Sequence, residues 1–160
     1  VRLESGQVSL RSEAVDLASA LESAIARAEH ATGRRVERRI GTRLPDPSLD
    51  PVLFDQILGN LLDNAMKFSG PEGRVAVVAQ RLGANASVSI EDDGPGIPRE
   101  DLARIFDPFY RASRTDRIAA GSGLGLAIAR GLAQAMGGEI LAESPIQEGR
   151  GTRVTVRFPA

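Results

Sequence analysis

Apolar residues recur along this chain at helical spacing in some stretches and at alternating spacing in others, and the switches between the two mark its elements. "QVSL" (7–10) reads as a short strand. In "DLASALESAIARAEHATG", Leu17, Leu21, Ala24, Ile25 and Ala28 share one helical face, with Asp16 placed to cap the first turn and Gly33 to stop the last. "RVERRI" (35–40) alternates as a strand, and "LPDPSLDP" is a turn-rich connection whose Asp50-Pro51 pair supplies an N-cap and a first-turn proline. A second helix is expected from there to about Phe68, its core face written by Phe54, Ile57, Leu58, Leu61, Leu62 and Ala65. "RVAVVAQRL" and "ASVSIED" predict a hairpin around "GANA" that ends at Asp92. "REDLARIF" predicts a short helix, and "RASRTDRIAAGSG", with no apolar period, reads as a mobile loop. "GLAIARGLAQAMGG" is a third long helix ended by glycines, and "EILAES" with "TRVTVRF" forms a closing hairpin. This order predicts an α+β fold with one layer of helices on one face of a mostly antiparallel sheet.

Composition narrows the class without changing that picture. A chain of 160 residues suits one domain, and 42% apolar with 26% charged residues is ordinary for a soluble globular protein. The net charge is −1 and the arginines are scattered from Arg2 to Arg157, so no basic face offers itself to nucleic acid or an anionic membrane. No apolar run is long enough for a spanning helix and no signal peptide opens the chain, so this stretch is expected in the cytoplasm or facing it. Without cysteine, and with one histidine, thiolate chemistry and histidine metal clusters are excluded. The chain opens on "VRLES" rather than methionine, which leads us to expect an upstream portion. Met66 and Met136 are expected as core fillers.

Three stretches carry candidate chemistry. At 100° per residue, Asn60, Asn64 and Lys67 fall within about 60° of one another on the second helix, away from its apolar face. A polar stripe is what any surface helix has, but asparagine is a poor helix former and here occurs twice, four residues apart. Its amide carbonyl is a neutral oxygen ligand suited to Mg²⁺, which takes few protein ligands and completes its shell with phosphate and water. "DDGPGIP" (92–98) follows a strand, so Gly94 and Gly96 would let the backbone pass close to a flat ligand, although Gly-Pro-Gly is most often only a turn. "GSGLGL" (121–126) leads into a helix whose free N–H groups suit phosphate, although such a cluster is as often a plain loop. Neither has Rossmann or P-loop spacing.

In this order, the Asn60/Asn64/Lys67 stripe, "DDGPGIP", "IFDPFYR", "GSGLGLAIA" and "GTRVTV" resemble the N, G1, F and G2 boxes and terminal Gly-Thr of the sensor histidine-kinase ATP-binding domain. That group is shared with gyrase, Hsp90 and MutL. The resemblance runs from about Leu3 to Pro159, and "LFDQILGNLLDNAMKFS" with "AIARGLAQAMGG" looks most like the potassium-responsive sensor kinases. It implies a two-layer α/β sandwich of the Bergerat type, with a mixed, mostly antiparallel sheet and a mobile ATP lid at about 107–122. It also implies ATP and Mg²⁺ as ligands. On that resemblance Asp92 accepts from the adenine amino group with help from Thr152, Gly94 and Gly96 shape the adenine floor, and Phe68 and Ile97 are apolar walls. Asn64 is the Mg²⁺ ligand, Asn60 positions water or polarises the attacking side, and Gly121, Gly123, Leu124, Gly125 and Leu126 form the glycine-rich phosphate segment. Lys67 touches the phosphates. It is the one lysine among twenty basic residues, and a compact ammonium serves there as a point charge that a planar guanidinium does not replace. Phe106 and Phe109 anchor the lid base or simply pack, Arg111 reaches the γ-phosphate, and Arg114 and Arg117 are solvated lid residues.

The implied activity is transfer of the γ-phosphoryl group of ATP to a histidine on a separate dimerisation and phosphoacceptor domain. A response regulator is the downstream partner, the full-length chain is a homodimer, and membrane attachment comes only through upstream parts. His30, in "EHATG" near a helix end, lacks the acceptor context and is expected as a surface residue. Hydrolysing clamps of the gyrase type place a glutamate where Asn60 stands, because water needs a base. An anti-sigma-type serine kinase shares the asparagine, and a non-catalytic ATP-sensing module would keep every binding motif; both stay open.

Overall fold

The computed structural model describes residues 9–108, 110 and 124–160. In chain order these form β1 (Glu13–Ala14), α1 (Leu17–Thr32), β2 (Glu37–Ile40), β3 (Ser48–Leu49), α2 (Pro51–Ser69), β4 (Val75–Leu82) and β5 (Asn85–Asp92). Then follow α3 (Arg99–Leu102), α4 (Gly125–Ala135), β6 (Glu139–Glu143) and β7 (Thr152–Pro159).

Five strands make the main sheet in the order β2-β4-β5-β7-β6, with β2 parallel to β4 and every other pair antiparallel. This is the mixed, mostly antiparallel sheet expected. Alternation assigns Val75, Val77, Ala79, Ala86, Val88, Ile90, Val154, Val156 and Phe158 to the buried face, where they meet the helices. The opposite face carries a charge ladder: Arg39 and Arg153 both bind Glu91, at 3.0 and 2.8 Å, and Glu37 and Glu143 close the two ends.

α2 is the central helix of the layer, touching α1 on one side and α4 on the other. Asp50 caps it by accepting from Val52 N and Leu53 N at 3.0 and 3.3 Å, and also holds Arg11 N at 3.0 Å. Leu53, Phe54, Ile57, Leu58, Leu61, Leu62, Ala65 and Met66 are all buried, and Phe54 meets Phe158 of the sheet edge-on at 5.8 Å between centroids. Removing a ring such as Phe54 costs on the order of 3–5 kcal/mol. The far end of α2 is held by one side chain: Arg34 donates to Met66 O at 2.9 Å, Ser69 Oγ at 2.9 Å and Gly73 O at 2.7 Å. α1 begins and ends as expected, with Asp16 accepting from Ser19 N and Gly33 in the left-handed region at φ 70°.

Three expectations need correction. Ser9 and Leu10 belong to no strand and are exposed, while Gln7 and Val8 lie outside the described residues. The first strand is Glu13–Ala14, which pairs antiparallel with Ser48–Leu49, so the turn-rich connection also contains a strand. The helix expected over "REDLARIF" covers only Arg99–Leu102 and gives way to turns. Among the described residues, no helix is long and apolar enough to cross a membrane.

Candidate nucleotide site

The site forms where the carboxy-terminal half of α2 meets the end of β5, the start of β7 and the first turn of α4. Asn60, Asn64 and Lys67 are half-buried on α2, as the helical spacing required. Asn60 donates through Nδ2 to the carbonyl of Gly125 at 3.2 Å, which bolts α2 to the first residue of α4 and leaves the Asn60 carbonyl oxygen as its free acceptor. Helix-to-helix bonding therefore accounts for part of the choice of asparagine here. Asn64, one turn on, makes no side-chain hydrogen bond among the described residues, so its amide oxygen is also free. Two neutral oxygens on one helix face suit a hard divalent cation that keeps most of its water. Lys67 Nζ pairs with Asp63 Oδ2 at 3.0 Å, and Asp63 is 65% exposed, so a weak surface pair holds the ammonium in place.

α4 starts at Gly125, and Leu124 at its cap position has no polar side chain with which to satisfy the first-turn amides. Leu126 is buried, whereas a Cβ on Gly125 would meet open space, so packing does not demand glycine there. Gly121 and Gly123 lie outside the described residues, as do Phe109, Arg111, Arg114, Arg117 and most of the expected lid. Of the lid base, Ile105 is buried and Phe106 packs against the core with the Arg130 guanidinium 5.9 Å from its ring centroid. Tyr110 takes Arg104 over its ring at 4.7 Å and donates its hydroxyl to Asp101.

The second half of the site is built around Asp92. Its side chain is on the core face of β5, 6% exposed, with Oδ1 accepting from Gly94 N at 2.9 Å. Burial raises its carboxyl to about 6; the Gly94 amide opposes that rise and the adjacent Asp93 charge adds to it. Asp93 is spent differently: its Oδ1 takes Arg74 N at 2.8 Å and its carbonyl takes the Arg150 guanidinium at 2.6 and 3.0 Å. Of the two aspartates in "DDGPGIP", only Asp92 is left with a buried, under-bonded carboxylate. Thr152 lies directly opposite it in the β5–β7 register and is 4% exposed.

The glycines around it have steric reasons. A Cβ on Gly94 would run into the carbonyl oxygen of Phe68, so this position closes the backbone against the end of α2. Gly96 stands at φ 86°, and a Cβ there would lie 2.9 Å from Ser144 Oγ. Ile97 is buried beside it, while Phe68 is half-buried and presents its backbone to Gly94. Sequence reasoning missed Ser144 and Arg34. Ser144 comes to stand across from Thr152 because Glu143 pairs with Arg153, a register that only the folded sheet reveals. Arg34 likewise had no local signal, because two of its three partners are backbone carbonyls far along the chain. His30 is exposed in the last turn of α1, as expected.

Residues 49–160 match the family model of histidine kinase-, DNA gyrase B-, and HSP90-like ATPases. The signal transduction histidine-protein kinase AfsQ2 of Streptomyces coelicolor is 40% identical over 160 residues, covering 99% of this chain and 28% of that protein. The mycobacterial sensor histidine kinase MprB superposes with a TM-score of 0.79 at 29% identity, over 92% of this chain and 97% of that one. Full-length ShkA in complex with AMPPNP superposes with a TM-score of 0.80 at 30% identity, over 95% of this chain and 32% of that one. The chain spans about a quarter of the length of the relatives first matched.

Proposed function

The chain belongs to the histidine kinase-, DNA gyrase B-, and HSP90-like ATPases, and from that premise we propose that it is the ATP-binding catalytic module of a sensor histidine kinase. It transfers the γ-phosphoryl group of ATP to a histidine on a separate dimerisation and phosphoacceptor domain. Adenine enters against Asp92 and Thr152, with the Gly94–Ile97 turn as its floor, and the phosphates extend along the Asn60–Lys67 face of α2 toward the start of α4.

The observation that favours phosphoryl transfer over hydrolysis is at Asn60. An amide tied to Gly125 O cannot take a proton from water, and an accepting imidazole, already a nucleophile, needs no such base. Asn64, with Asn60 beside it, is the ligand for Mg²⁺, which when bound would neutralise charge on the transferring group. Lys67 serves the phosphates as a point charge once it leaves Asp63, and Arg111 is assigned to the γ-phosphate. The response regulator, a homodimeric full-length protein and a cytoplasmic setting belong to the same reading.

Incubating the full-length protein with γ-labelled ATP and Mg²⁺ tests it. Label on protein that is acid-labile and alkali-stable is expected. Acid-stable label would move the assignment to a serine kinase, free phosphate alone to a hydrolase, and binding without turnover to a nucleotide sensor.

A further inference from the structure

We propose that Ser144 is a positioning residue for recognition of the base: its hydroxyl locks the Thr152 side chain and the Ile97 peptide around Asp92, and fixes Thr152 Oγ1 as an acceptor toward the nucleotide. This rests on the adenine-binding reading given above.

The hydroxyl of a serine has one proton and two lone pairs. At Ser144 all are committed. The proton goes to Gly151 O at 2.8 Å, and Oγ accepts from Ile97 N at 2.8 Å and from Thr152 Oγ1 at 3.3 Å. One side chain thus ties the Gly94–Ile97 turn to the start of β7, the two segments that flank Asp92, and Gly151 N reinforces the tie by donating to Gly94 O at 2.9 Å. A Cβ on Gly96 would lie 2.9 Å from the same oxygen, so the absence of a side chain there lets the turn lie close to the hydroxyl.

The consequence for chemistry follows from the proton count. Because Ser144 has already given its proton to Gly151, Thr152 must donate in the bond between the two hydroxyls. Thr152 then has only lone pairs left to present, next to the Asp92 carboxylate across the strand pair. Two adjacent acceptors favour a purine edge that donates, as the 6-amino group of adenine does. They repel the 6-keto oxygen of hypoxanthine or guanine, and buried polar groups left unpaired are what make such rejection strong. Losing Ser144 would free the Thr152 hydroxyl to turn and donate, which weakens the preference at its source.

The test compares ATP with inosine triphosphate, measured by calorimetry with Mg²⁺ at pH 8 on the wild-type protein and Ser144→Ala. Ser144→Ala is expected to bind ATP about tenfold more weakly with inosine triphosphate unchanged or tighter, narrowing the ratio about tenfold or more. A parallel loss of both nucleotides would mean that Ser144 only supports the fold, and an unchanged ratio would likewise overturn the proposal. If Ser144→Ala does not fold, Thr152→Val removes the same acceptor at constant shape and must narrow the ratio too; an unchanged ratio there overturns the proposal equally. Wild-type protein that binds neither nucleotide, or does not prefer ATP, would refute the adenine reading itself and this inference with it.

Discussion

Glu29 and Asp92 are carboxylates at two corners of the molecule, and their surroundings push them in opposite directions. At the α1–β2 corner, Glu29 takes Arg38 through both oxygens, at 2.9 and 3.0 Å, and Val36 N at 2.8 Å. Those bonds, led by Arg38, pull its carboxyl down to about 2. At the end of β5, Asp92 has one amide bond and is buried, and its carboxyl rises to about 6. Where the fold supplies every partner, the charge belongs to the structure. Where it buries a charge and leaves lone pairs open, the carboxylate costs stability and stands as a candidate to meet a ligand.

Neutralising each carboxyl in turn separates the two roles most sharply. Asp92→Asn is expected to weaken ATP binding by about 30-fold or more, because a donor amide now faces the adenine amino group, while thermal stability holds or rises because no buried charge remains. Glu29→Gln should do the reverse: it loses charge-assisted bonds worth on the order of 1–2 kcal/mol and leaves nucleotide affinity unchanged. Calorimetry and thermal melts on both variants decide it, and a destabilised Asp92→Asn with normal affinity would erase the distinction.

A pH series sharpens the same contrast. Asp92 is raised in the folded state, so its contribution to stability is present below its ordinary value near 4 and is lost as pH climbs through about 6, by an amount on the order of 2–3 kcal/mol. Glu29 is lowered, so its contribution is present above its ordinary value and is lost as pH falls toward 2. Denaturation midpoints should therefore improve from pH 7 to 5 relative to Asp92→Asn, and worsen below pH 4 relative to Glu29→Gln. Nucleotide affinity should follow Asp92 alone, falling about tenfold from pH 7.5 to 5 in the wild type and less in Asp92→Asn.

Arg34 joins the two kinds of corner, since its bonds are satisfied within the fold yet grip the site helix. Arg34→Ala removes partners from Met66 O, Ser69 Oγ and Gly73 O and should cost on the order of 1–2 kcal/mol, or about 2–6 °C in melting temperature. Any loss of ATP affinity should be smaller, about twofold, transmitted through the Phe68 carbonyl against Gly94.

What the sequence disclosed follows the range of the forces involved. α1, α2 and both hairpins were legible because their apolar periods, Asp16 and Asp50 caps and turn residues are local signals. The same locality made the Asn60–Lys67 face and Asp92 legible as candidates. The strand at Glu13–Ala14 was not, because two residues carry no period and its partner at Ser48–Leu49 is more than thirty residues away. Arg34, Ser144 and the division of labour between Asp92 and Asp93 were hidden for a related reason: each is defined by backbone atoms that only the folded chain brings near. At Asn60 the helical spacing and the amide chemistry are local signals, whereas the Nδ2 bond to Gly125 O, which gives it a packing role as well, forms only when α4 folds against α2.

The smallest expected effect lies at Lys67, where the two principles meet in one residue. Its pairing with Asp63 at 3.0 Å is an (i, i+4) contact with the acid on the amino-terminal side, the favourable order on a helix, but both groups reach solvent. Such a pair contributes on the order of 0.3–0.5 kcal/mol and is screened by salt. Asp63→Asn should therefore leave the melting temperature within about 2 °C of the wild type. If Lys67 is held in reserve for phosphate, the same change should tighten ATP about twofold and leave adenosine alone, since the ammonium no longer has to leave a carboxylate. Equal effects on ATP and adenosine would place Lys67 with Glu29, as a charge the fold has already used.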